Sequence, residues 1–272
     1  MMRALWTGAS GMKAQQTNVD TIANNLANVN TVGYKSQSTQ FKSLLYQTLR
    51  TATTTAKGED KPTSAQVGLG ARVASTNTDF TQGTMQANAS STALCVTGDG
   101  FFAVRGADNQ TYYTRSGDFT WVLDTAGNRV LATSKGQEVL DYQGNPIMLP
   151  DGASGDSVSF GTDGAVAYKA PDGTYILTGQ SVALYQFSNP KGLEKAGDSL
   201  FEATDASGGA ISEATGVGIT RSTIAQGYLE ASNVNVADEM VNLIVAQRAY
   251  EMNSKAITTS DTMLEQANNL KR

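Results

Sequence analysis

Two columns of apolar residues spaced by seven lie at opposite ends of this chain, and everything between them reads as something other than long helix. Leu5, Met12, Val19 and Leu26 make the first column, with Ala9, Ile22, Ala23 and Val29 filling the same side. Lys13, Gln15, Gln16, Asn18 and Asp20 point toward water or polar neighbours. Val236, Leu243, Tyr250, Ile257 and Leu264 make the second and longer column, with Asp238 and Glu239 at its start and Lys271 and Arg272 at its end, as the helix dipole prefers. Seven residues are two helical turns to within about 20°, so each column predicts an amphipathic helix with a narrow, coiled-coil-like seam.

The first helix is expected to stop at "NVNTVGYK", where asparagine and glycine supply a C-terminus. A second short helix is expected in "STQFKSLLYQTL", with Phe41, Leu44, Leu45 and Leu49 on one face. The threonine-rich stretch "TATTTAKGEDKPTS" then reads as an extended excursion broken at Gly58 and Pro62. From about Val67 to Thr220 short apolar runs such as "FFAVR", "FTWVL", "TYILTG" and "VALYQF" alternate with turn punctuation. Asp124 to Asn128 and Asp141 to Asn145 share the pattern D-x-x-G-N and predict two similar hairpin turns. Neither has the ligand spacing of a calcium loop.

The expected fold class is therefore α+β: discontinuous N- and C-terminal helices forming a coiled-coil-like pair around a central, mostly antiparallel β domain. Residues 1–30 and 236–272 form the helical polymerisation domain in this reading. Residues 31–75 and 212–235 link it to a β domain at 76–211, with the excursion near 51–64. Ordering each residue costs about 1 to 2 kcal/mol of backbone entropy, so a lone helical hairpin with a narrow seam is marginal. The pair is expected to meet its copies in other subunits. Periodicity leaves open a second arrangement, in which the helices are an internal stalk of a monomer or dimer.

Composition removes most chemistry. The chain has no histidine, so imidazole-based nucleophilic and acid–base arrangements are excluded. Its single cysteine, Cys95, forbids an internal disulfide and a cysteine zinc site, and in "ALCVTG" it reads as a small buried hydrophobe. The net charge of -5 argues against nucleic acid, which requires clustered basic residues. No apolar run reaches the roughly 18 residues of a spanning helix, and the polar start lacks a signal-peptide pattern. No P-loop occurs, and "GLGAR" lacks the spacing of a dinucleotide fingerprint. Asp99, Asp118, Asp124, Asp141 and Asp163 could in principle supply a glycosidase pair, yet each sits beside glycine in a turn-like context. Tyr112, Tyr113, Phe119 and Trp121 could stack on sugars, but strand alternation places about half of them in a core. Neither an enzyme, a cofactor, a metal nor a small-molecule substrate is expected. Asn24, Asn25 and Asn28 are unusual inside a helix, and are read either as a polar face near its end or as amides that fix register across subunits.

The motifs themselves resemble a known family. "IANNLANVNTVGYK", Ile22 to Lys35, is similar to the N-terminal signature of the bacterial flagellar rod and hook proteins, and "ASNVNVADEMVNLIVAQRAYEMNSKAI", Ala231 to Ile257, to their C-terminal one. "TGDGFFAV" and "YTRSGDF" are similar to the family's central β domain. Within the family, "FKSLLYQTLR" followed by the excursion through Thr51, Lys57, Gly58, Pro62 and Ser64 resembles the distal rod more than the hook or the proximal rod, which stay as alternatives. A secreted carbohydrate-binding β protein is the alternative outside the family.

The resemblance implies a subunit of a helical homopolymer, the rigid drive shaft between motor and hook. Its terminal helices would line the tube, its β domain would face outward, and it would be exported across the inner membrane without a cleaved signal. Implied partners are further copies of itself, proximal rod proteins, hook or hook-junction proteins, outer ring proteins and the type III export apparatus. Leu5, Met12, Val19, Ile22, Asn24, Asn25, Leu26, Asn28, Val236, Leu243, Tyr250, Ile257 and Leu264 are the expected subunit-contact residues.

Overall fold

The computed structural model describes residues 2–50, 64–124, 127–150, 155–170, 174–216 and 218–270. The chain divides into two compact units: residues 1–27, 37–78 and 235–272 in one, and residues 28–36 and 79–234 in the other. Among the described residues, no helix is long and apolar enough to cross a membrane.

The first unit holds two long helices, α1 (Met2–Ala27) and α2 (Val236–Asn269). Asn235 caps α2 by accepting a hydrogen bond from Ala237 N, and Asp238 and Glu239 occupy the first turn, where the exposed amides and the dipole favour acceptors and negative charge. The expected helix at 38–49 is absent. That segment forms strands β1 (Gln37–Ser43) and β2 (Tyr46–Arg50), which pair antiparallel with β4 (Ala71–Thr78) and β3 (Ala65–Gly68) respectively. The helical spacing of Phe41, Leu45 and Leu49 is deceptive, since all three are exposed and no buried stripe joins them. Ladder pairing, and a hydrogen bond from Thr39 Oγ1 to Thr21 Oγ1 of α1, override local propensity here.

The second unit is all β. Its strands are β5 (Met85–Ala87), β6 (Leu94–Thr97), β7 (Phe101–Arg105), β8 (Thr111–Thr114), β9 (Phe119–Leu123), β10 (Arg129–Thr133), β11 (Glu138–Val139), β12 (Met148–Leu149), β13 (Val158–Phe160), β14 (Ala165–Lys169), β15 (Tyr175–Ser181), β16 (Leu184–Gln186), β17 (Glu194–Gly197), β18 (Leu200–Glu202), β19 (Ile211–Ser212), β20 (Thr223–Gln226) and β21 (Tyr228–Glu230). Ten of them join in one antiparallel sheet, β13 to β15 form a three-stranded sheet, and β20 and β21 pair with β6 and β5.

The centre of the large sheet is β7, which pairs with β8, β11 and β16. Because side chains alternate across a strand, Phe102 and Val104 enter one core cluster with Phe119 and Leu131, while Phe101 and Ala103 enter another with Phe187 and Phe201. A strand buried on both faces must be apolar at every position, which is why "FFAVR" does not alternate. Each buried phenylalanine contributes about 1.5 to 3 kcal/mol.

The two D-x-x-G-N segments form matching turns. In each, the Asp N–H donates to the Asn carbonyl at 2.8 Å and the Gly N–H donates to the Asp carbonyl at 2.8 Å. Gly127 and Gly144 take φ of 84° and 78°, the left-handed conformation that closes such a hairpin. Cys95 is fully buried on β6, and burial pushes its thiol up to about 11.

Candidate assembly site

α1 and α2 run antiparallel. Asn25 Nδ2 near the end of α1 donates to Glu239 Oε1 at the start of α2 at 3.0 Å, while Gly8 faces Asn253 and Ile257. The approach is close because α1 offers no side chain there. A Cβ on Gly8 would lie 2.9 Å from Ile257 Cγ1, and one on Gly11 would lie 2.9 Å from Asn253 Nδ2. The buried positions of α1 are Gly8, Ala14, Thr21, Ile22 and Asn25, and those of α2 are Ala246 and Ser260. Small and polar residues therefore carry the intrasubunit pairing, and only Ile22 is large and apolar.

The predicted columns sit differently. Leu5, Met12, Val19 and Leu26 are half-buried, as are Leu243, Ile257 and Leu264, whereas Val236 and Tyr250 are exposed. Large apolar side chains outside the columns also face solvent: Trp6 on α1, and Val241, Ile244, Val245 and Met252 on α2. Periodicity at seven missed these because they fall on other faces of the helix.

Asn25, read from sequence as a candidate intersubunit amide, is fully buried within the subunit. Its Oδ1 accepts from Gln37 N at 2.9 Å and its Nδ2 donates to Gln37 O at 2.8 Å, so one side chain serves as a strand partner for the first residue of β1. Asn24 is exposed, and half-buried Asn28 accepts a hydrogen bond from Thr31 Oγ1 at 3.1 Å. Of the excursion, Thr51, Lys57, Gly58 and Pro62 lie outside the described residues, and Ser64 is exposed just before β3.

The β unit contains a buried charge cluster that no sequence pattern announced. Lys35, Arg115 and Glu230 are each at most 1% exposed. Lys35 Nζ donates to Glu230 Oε1 at 2.6 Å and to Thr81 O at 2.8 Å, and Gly83 N donates to the same carboxylate oxygen at 2.9 Å. Arg115 Nη1 stands 3.8 Å from Glu230 Oε2, and its guanidinium lies 4.8 Å from the centre of the Phe101 ring. Burial lowers the Lys35 pKa below the usual lysine value, opposed by the Glu230 charge. Asn233 extends the knot by accepting from Ser36 N at 2.8 Å and donating to Asp79 O at 2.9 Å. Gly33 belongs to it as well. Its φ is 68°, and a Cβ there would lie 2.5 Å from Ser116 N, so only glycine fits. Ser36, Asp79 and Asn233 of the β unit are thus joined by hydrogen bonds to one another.

The aromatic run supports a core rather than a sugar-stacking strip: Phe119 and Tyr113 are buried, and Tyr112 and Trp121 pack against a core cluster. A shallow cleft of about 310 Å³ is lined by Asn128, Met148, Leu149, Pro150, Thr178 and Gln180, none of them a carboxylate. Asp163 Oδ1 accepts from Ala165 N inside its own turn.

Long helices at the two ends of the chain and a separate β-rich unit between them are the elements of a flagellar axial protein, and three family models match the chain. They are Flagella basal body rod protein at residues 5–35, Flagellar hook protein FlgE/F/G D1 domain at 95–168, and Flagellar basal body rod FlgEFG protein C-terminal at 225–270. The flagellar basal-body rod protein FlgG of Borreliella burgdorferi is 46% identical, over 100% of both chains. Those of Buchnera aphidicola subsp. Schizaphis graminum and Bacillus subtilis are 39% and 38% identical, over 99% and 100% of this chain and all of theirs. The chain belongs to the FlgG family of flagellar basal-body rod proteins.

Proposed function

We propose that this chain is a structural subunit of the distal rod, polymerising through its terminal helices, residues 1–30 and 236–272, into a rigid tube that passes torque from motor to hook. One observation carries the reading. α1 and α2 pair within the subunit through small and polar residues and leave their large apolar side chains, Ile22 excepted, half-buried or exposed. Such faces are costly in an isolated subunit and are satisfied by neighbours.

In the polymer, Leu5, Met12, Val19 and Leu26 pack with Leu243, Tyr250, Ile257 and Leu264 in coiled-coil-like contacts, together with the exposed apolar residues of α2. The full-length similarity to rod proteins of the FlgG family supports a distal place in the axis over a hook or proximal one. Proximal rod proteins then adjoin one end, hook or hook-junction proteins the other, outer ring proteins surround the shaft, and the type III apparatus exports the subunit.

The double variant Leu243→Asp with Ile257→Asp tests this directly. It should form no polymer while its β unit keeps native stability, and a normal rod from that variant contradicts the proposal. The excursion at 51–64 wedges between neighbouring subunits in this account and keeps the tube straight. Its deletion should give curved or flexible polymers, and an unchanged straight rod counts against that role.

A further inference from the structure

We propose that the exposed methionines of α2, Met240, Met252 and Met263, are an oxidation-sensitive site through which a peroxide-class oxidant blocks assembly of the free subunit. The inference rests on the assembly reading above and adds a modification chemistry to it.

The most exposed thioethers lie on the terminal helices, while Met85 on β5 and Met148 on β12 are 42% and 37% exposed. Of eight methionines, Met240, Met252 and Met263 lie on α2 and are 51%, 73% and 53% exposed, and Met2 on α1 is 69% exposed. No histidine competes for oxidant, and Cys95 is fully buried with its thiol pushed up to about 11, so it offers almost no reactive thiolate. Exposed thioethers are thus the accessible two-electron reductants among the sulfur groups.

Their placement gives oxidation a consequence. Val241, Val245, Met252 and Met263 follow at intervals of four, seven and eleven residues, each a whole number of helical turns to within about 40°. They form an exposed apolar stripe on a different face from Ala246, Asn253, Ile257 and Ser260, which lie toward α1 or are buried, and Met240 lies exposed beside the stripe, about 100° from Val241. In the reaction a sulfur lone pair attacks a peroxide oxygen. The O–O bond breaks, an S–O bond forms, sulfur loses two electrons, and the second peroxide oxygen takes up the proton shed by the transferred hydroxyl and leaves as water. The sulfoxide is a strong acceptor where the thioether was apolar, so burying it against a second copy without a donor is unfavourable. Because the stripe is open in the monomer and covered in the polymer, the free subunit is vulnerable and the finished shaft is protected.

The test uses full-length protein, hydrogen peroxide and peptide mass spectrometry. In the monomer Met252 and Met2 should gain oxygen faster than half-buried Met12, with Cys95 unmodified, and in preformed polymer Met252 and Met263 should be protected. Oxidised monomer should need a roughly tenfold or higher concentration to assemble, and methionine sulfoxide reductase should reverse the shift. The triple variant Met240→Leu, Met252→Leu, Met263→Leu, compared with its own untreated sample, should show no such shift. Normal assembly of wild-type chain with Met252 and Met263 oxidised overturns the proposal, as does an equal loss in the triple variant. If untreated protein forms no polymer, the assembly reading itself fails. The oxidation site is then judged in the monomer, where Met252 reacting no faster than Met12 overturns it.

Discussion

Lys35 Nζ lies 2.6 Å from Glu230 Oε1, joining residues 195 positions apart, with both side chains withdrawn from water. The pair ties the loop after α1 to the last strand before α2 inside the β unit. A buried pair of this kind is weak evidence for net stability, but removing one partner strands the other charge.

Lys35→Met should therefore destabilise the β unit by about 3 to 5 kcal/mol, read as a fall in the urea midpoint. Adding Glu230→Gln to that variant keeps an acceptor for Gly83 N but strands the buried Arg115, 3.8 Å from the carboxylate, so the double variant should lose less than the sum of the two single losses. Additive losses in the double variant would show that the two residues are not energetically coupled.

Asn25 replaces a strand for Gln37, so Asn25→Leu should cost about 1 to 3 kcal/mol by leaving a backbone N–H and C=O without partners. The loss should appear as faster amide exchange at Gln37. Unchanged exchange there would remove the assigned role.

Gly8→Leu drives a side chain into Ile257 and Asn253. The expected result is about 1 to 3 kcal/mol of destabilisation confined to the helical unit, with reduced far-ultraviolet helix signal and intact β-unit unfolding. A variant with native helix content would mean that α1 and α2 do not need this approach.

Lys195 donates to Lys35 O at 3.3 Å, lies 4.8 Å from the Tyr34 ring centre, and has its pKa lowered by burial to about 8. The sign follows from proton counts. Between about 8 and the ordinary 10.5 the unfolded chain holds a proton that the folded chain has released. Stability from this group thus rises with pH through that window, and the penalty is present in full below it. Urea midpoints across the window should climb in wild type and climb less in Lys195→Met; equal slopes contradict the shift.

Much of this architecture is legible in residue pattern. Columns at seven mark α1 and α2, and apolar runs separated by D-x-x-G-N mark the sheets and their turns. Residues 37–50 mislead because Phe41, Leu45 and Leu49 have helical spacing without a buried face, and ladder pairing decides their conformation. The intrasubunit seam misleads for a different reason. Apolar periodicity cannot see Gly8, Gly11 or Asn25, whose value lies in what they allow to approach or in the backbone they bond. Lys35 and Arg115 fall within the motifs that carry the family resemblance and Glu230 lies one residue before the C-terminal one, yet a single sequence holds no signal that pairs positions so far apart.

The most direct test of the central claim, assembly through the terminal helices, is residue-resolved hydrogen exchange on purified full-length protein, followed by electron microscopy of the same sample after concentration. The account predicts fast exchange at residues 1–30 and 236–272 in the dilute monomer, and protection of both when straight tubes form. Strong protection of both ends in dilute monomer, with no polymer at any concentration, would contradict it and make the helices an internal stalk.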